Sequence, residues 1–188
     1  KKGLLLSDDM RMLSGVGVMS REIVMNTVDD YDWVQLGSAV KHGQKGKRVD
    51  VSEDVQKTTG VDDAEVIIYP YDGYGDQDIV RFLIDNEDPD FILHFTDPRQ
   101  WVWLYMMEHE IRTEIPILYY HVWDDLPYPM YNAGYYESCD MIMNISKQTE
   151  NIVRNVQPKF DDWQVSYVPH GIKEDTYYPI EEESAKKK

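Results

Sequence analysis

Short apolar runs recur along this chain, and between them lie helix-length stretches whose apolar residues return on one face. That alternation belongs to a parallel sheet covered by helices on both faces, so the expected fold class is α/β. Gly3 to Leu6 reads as a buried strand. A glycine-containing loop follows, then a helix that places Val16, Met19, Ile23, Val24 and Val28 on one side. Further strands are expected at Tyr31 to Leu36, Ala64 to Pro70, Phe91 to Phe95, Ile115 to Tyr120, Met141 to Ile145 and Trp163 to Val168. Helices are expected at Asp76 to Asn86, at Tyr128 to Ser138, and from Asp97-Pro98 to about Ile111. The last of these carries Trp101 to Met107, apolar all round, which predicts deep burial. Another helix runs from Ser146, as N-cap, to Asn155. The polar stretch Lys41 to Gly60 is read as an excursion with a hairpin through Arg48 to Val55.

Size and charge narrow the function. A chain of 188 residues supports one good core, placed at residues 1–180, with 181–188 a charged tail expected to be disordered. The formal charge of −16 offers no basic stripe for phosphates, which argues against nucleic acid and anionic membranes as partners. The longest apolar run, Trp101 to Met107, falls far short of the ~20 residues of a membrane span. The run after Lys1-Lys2 stops at Ser7, too early for a secretory signal. Cys139 is the only cysteine, which fits a reducing, cytoplasmic setting and an ordinary buried thiol.

In an open α/β sheet, ligands sit beyond the carboxyl ends of the strands. The residues found there are Ser7, Asp8 and Asp9, Tyr71 and Asp72, Thr96 and Asp97, His121 with Asp124 and Asp125, Ser146, and His170. Capping explains Asp97 and Ser146 without any ligand. His121 has no capping task, and a structural or a functional histidine are both open. Gly15 and Gly17 follow the first strand, where glycine lets a ligand approach the positive end of a helix. Neither the dinucleotide fingerprint nor a P-loop is present, which leaves nicotinamide chemistry and P-loop hydrolysis unsupported. A metal-dependent hydrolase would gather His94, Asp97, His121, Asp124 and His170 around a divalent ion. No metal site and no cofactor is assigned.

Five segments, in order, resemble the N-terminal half of retaining glycosyltransferases with the GT-B fold, the glycogen-synthase-like and mannosyltransferase-like group. They are Leu4-Leu5-Leu6-Ser7 with Ser14-Gly15-Val16-Gly17, Pro89 to His94, Ile117 to Asp124, the D-x-I-x-x-x-S-x-x-T segment from Asp140 to Thr149, and Val165 to Ile172. The resemblance implies a Rossmann-like three-layer sandwich that binds the acceptor, with the nucleotide-sugar donor held mainly by a second half. It implies that His121 contacts the donor sugar and that Gly15 and Gly17 face donor phosphate or acceptor. Asp8, Asp9, Asp97, Asp124, Asp125 and His170 are the expected contacts to a carbohydrate or other hydroxylated acceptor, with Trp123, Tyr74 and Trp101 as aromatic rings for stacking on a sugar, of which Trp101 is read rather as core. The spacing E-x₇-E of the family's donor signature occurs at Glu174 and Glu182 and is read as coincidence, since Pro179 interrupts it. Two other readings stand beside this one: a non-catalytic carbohydrate-binding or interaction module, and the hydrolase.

Overall fold

A computed structural model describes residues 1–39, 41, 43–172, 177–180 and 186. Glu174, Glu182 and all of the 181–188 tail except Lys186 lie outside the described residues.

The fold is α/β: an eight-stranded, mostly parallel sheet between two layers of helices, Rossmann-like in its three layers. The strands are β1 (Lys2–Asp8), β2 (Asp32–Ser38), β3 (Val49–Asp50), β4 (Val66–Pro70), β5 (Phe91–Phe95), β6 (Ile117–His121), β7 (Met141–Asn144) and β8 (Val165–Tyr167). The helices are α1 (Gly15–Met25), α2 (Ser52–Thr59), α3 (Gln77–Glu87), α4 (Val102–Met106), α5 (Glu108–Ile111), α6 (Ala133–Glu137) and α7 (Lys147–Val156). Strand order is β3-β4-β2-β1-β5-β6-β7-β8, and only β3 runs antiparallel. The chain therefore winds outward one way from β1 and the other way from β5. The crevice beyond the carboxyl ends of β1 and β5 is the topological switch point, where such sheets bind ligands.

Leu4, Leu5 and Leu6 of β1 are wholly buried, as a central strand covered on both sides requires. Leu4 and Leu6 join the core beneath α3 to α7, with Val34, Leu83, Trp101 and Ile152. Leu5 faces the other core, where Val24 and Val28, from α1 and the turn after it, pack with Val55 of α2. The helical face read from Val16, Met19, Ile23, Val24 and Val28 is the one that packs there.

Three expectations need correction. Arg48 to Val55 is no hairpin: β3 pairs with β4 for two residues, and Ser52 then starts α2. Asp97 to Ile111 is not one buried helix but a 3-10 turn (Pro98–Trp101) followed by the short α4 and α5, with breaks at Trp101 and Met107. Trp101, Leu104 and Tyr105 are buried, yet Met106 is 69% exposed, because an all-apolar run gives no phase to choose a buried face. Tyr128 to Ser138 is helical only from Met130, through a 3-10 turn into α6. No helix among the described residues is long and apolar enough to cross a membrane.

Candidate functional site

The exit from β1 is built by polar contacts. Gln35 of β2, fully buried, donates from Nε2 to Ser7 Oγ and to the Asp8 carbonyl, both at 2.8 Å. Its Oε1 accepts from the Met10 amide at 3.0 Å, so one amide side chain fixes the turn. Asp9 is equally tied: its carboxylate accepts from the Arg11 amide at 2.9 Å and from the Arg11 guanidinium at 2.6 Å. That pairing engages both carboxylate oxygens with Arg11, and Asp9 is only 1% exposed.

Ser14 caps α1, its Oγ accepting from the Gly17 amide at 3.0 Å and donating to Asp8 Oδ2 at 3.0 Å. A carboxylate thus already stands beside the positive end of α1, which suits a hydroxylated ligand there better than a phosphate. The two glycines differ. Gly15 is exposed, and a side chain there would meet open space. Gly17 is buried, and a Cβ would lie 2.9 Å from the carbonyl oxygens of Asp9 and Met12. Gly17 therefore serves the packing of the 9–12 turn on α1, while only Gly15 is placed to admit a ligand.

His121 lies at the end of β6 but points inward. It is fully buried, with Nδ1 3.0 Å from Asn144 Oδ1 and Nε2 2.8 Å from the Tyr136 hydroxyl. Since the amide oxygen only accepts, Nδ1 carries the proton and Tyr136 donates to Nε2. Desolvation lowers its pKa to about 4, so the ring is neutral. Its side chain shares the face of Tyr119 and Tyr136, whereas α1 packs on the opposite face. The imidazole and the body of α1 therefore lie on opposite faces of the sheet, and both ring nitrogens are engaged inside the core.

Asp97 caps the 3-10 turn, accepting from the Arg99 amide at 2.9 Å, and pairs with the Arg99 guanidinium, which holds its carboxyl below the usual range. Arg99 also lies over Trp123, 5.0 Å from the ring centroid. Asp124 and Asp125 are exposed in the loop after β6, where Asp125 Oδ1 accepts from the Leu126 amide. His170 sits on the other side of the sheet, edge-on to Tyr120 at 5.3 Å, lining an apolar cavity of about 890 Å³ with Met19, Trp33, Leu118 and Met143. His94 and His121 face one side and His170 the other, so the five residues of the hydrolase reading do not converge. Among the described residues no group of three or more His, Cys, Asp or Glu side chains is arranged to hold a metal. Cys139 is buried, its thiol pKa pushed up by desolvation, an ordinary core thiol.

Sequence reasoning passed over Trp103, Tyr136, Asn144 and Gln35. Asn144 had a signal in the resemblance segment, directly before Ile145-Ser146; the others had none, since burial of a polar end shows only once strands are in register. Compared with known proteins, the chain matches no family model and no curated protein.

Proposed function

We propose that the chain is the acceptor-side half of a retaining glycosyltransferase of the GT-B type, which moves a sugar from a nucleotide-sugar to a hydroxylated acceptor. Turnover then needs groups from a second, donor-binding half. One observation supports this most: the five resemblance segments fall on β1, β5, β6, β7 and β8, which are five consecutive neighbours in the sheet, with their loops at one edge. Segments scattered over the sheet would not build a common rim. Gly15 is the open approach to the end of α1, and Asp8 is the carboxylate bonded to the cap residue Ser14 beside it. His121 enters as a positioning residue, a neutral ring that fixes Tyr136 and Asn144 below the rim. A cytoplasmic setting fits the lone thiol and belongs to the same proposal.

The inward His121 favours a second reading, a carbohydrate-binding module without chemistry of its own. The test is to assay the longest protein the gene encodes against a panel of nucleotide-sugars, following release of nucleoside diphosphate. Turnover is expected, and Gly15→Val should lower kcat/KM by about tenfold with the melting temperature unchanged, since its side chain enters ligand space rather than protein. Saccharide binding with no turnover of any donor would overturn the transferase reading in favour of the second.

A further inference from the structure

Four buried side-chain atoms with no hydrogen-bond partner among the described residues gather at the switch point: Asp8 Oδ1, His94 Nε2, Trp101 Nε1 and Trp103 Nε1. Register places them together. Leu6 of β1 pairs with His94 of β5, so Asp8 follows two residues on along the same face. Trp101 packs against His94 at 5.2 Å between centroids, Trp103 against Trp101 at 5.5 Å, and Tyr74 against Trp101 at 5.9 Å. Asp8 is only 8% exposed, and desolvation raises its pKa. Leaving such groups unsatisfied is costly, so a native fold keeps several in one place only with a reason.

We propose that this patch is a subsite for hydroxyl groups of a neutral polyol or sugar. The set of orphaned atoms selects that chemistry. The indole nitrogens only donate and the carboxylate oxygen accepts, so the partner must do both, which a hydroxyl does. An ammonium group would satisfy Asp8 and leave the indoles unmet. A phosphate would satisfy the indoles but meet Asp8 and Asp97, in a chain of net charge −16. Tyr74 and Trp103, half-buried, supply flat apolar faces for the carbon skeleton. Gly73 and Gly75, at φ +79° and +81°, shape the 71–76 loop, whose Tyr74 packs edge-on to Trp101. Identifying the ligand as the acceptor rests on the transferase reading, whereas the binding itself does not.

The test uses the indole N–H resonances of this chain, assigned through Trp101→Phe and Trp103→Phe, in titrations with myo-inositol, D-mannose, glucosamine and glucose 6-phosphate. The neutral probes are expected to shift the Trp101 and Trp103 resonances saturably, and the phosphorylated and amino sugars to bind at least about tenfold more weakly. Asp8→Ala should weaken neutral-probe binding by about tenfold or more. If that variant fails to fold, Trp103→Phe and the comparison of probes on the unaltered chain decide. Absence of any saturable shift with the neutral probes, which leaves the orphaned atoms to buried water alone, would overturn the proposal, as would equal binding of glucose 6-phosphate. Neutral-probe binding without donor turnover would leave the subsite standing and remove the transferase reading. Turnover whose acceptor KM ignores Asp8→Ala would do the reverse.

Discussion

The histidines on the inner face of the sheet make a prediction at the scale of single groups. Burial lowers the pKa of His94 to about 3 and that of His121 to about 4, from 6.5. Below pH 6.5 the unfolded chain takes up protons that the folded chain refuses, so their contribution is complete above that pH and lost as pH falls toward those values. Each histidine should cost about 1.4 kcal/mol per pH unit in that window. Asp8, whose pKa is raised, acts with the opposite sign and offsets part of the loss toward its lower end. The urea midpoint is therefore expected to be lower near pH 5 than near pH 7, with a shallower pH dependence in His121→Gln. A midpoint unchanged across that range would contradict the inward placement of both rings. The glycines supply a second residue-level contrast. Gly17→Ala should cost about 1–3 kcal/mol, through overlap with the 9–12 turn, while Gly15→Ala should change stability by less than about 0.5 kcal/mol. Thermal melts of the two variants measure both.

At the scale of elements, the D-x-I-x-x-x-S-x-x-T segment proves to have a folding explanation in every lettered position. The Asp140 carboxylate accepts from the Ile117 amide at 2.8 Å and from Arg112 at 2.9 Å, fastening the start of β6 to the end of α5. Ile142 is fully buried in β7, and Ser146 with Thr149 forms a reciprocal capping box on α7. Ser146→Ala is expected to cost about 1 kcal/mol, read as a lower denaturant midpoint at constant slope; no change would mean the box is redundant. This locates what was legible in the sequence. Strands bounded by turn residues, the first helical face and the caps at Asp97 and Ser146 carry local signals and appear where expected, save that the last strand starts at Val165, after a 3-10 turn that takes up Trp163. The direction of His121 carries no such signal. In β6 both Tyr119 and Tyr120 are buried, one in each core, so alternation cannot tell which way the next residue turns. The same holds for Trp101 to Met107, where uniform hydrophobicity hides the two breaks.

For the molecule as a whole, 35 acidic against 19 basic residues leave a net repulsion that salt should screen. Raising NaCl from about 50 mM to about 500 mM is expected to lift the melting temperature by about 2–5 °C, since the Debye length shrinks below the spacing of surface charges. A lower melting temperature would mean that ion pairs such as Arg11–Asp9 and Arg112–Asp140, which salt weakens, outweigh the repulsion. The broad sheet also finishes in very short margins: β3 has two residues and β8 has three. Neither flank offers a long ladder of vacant amides and carbonyls to template a neighbouring molecule's strand. Polymerisation by strand annealing thus has little purchase at the described flanks, even though the interior strands are among the most aliphatic stretches of the chain.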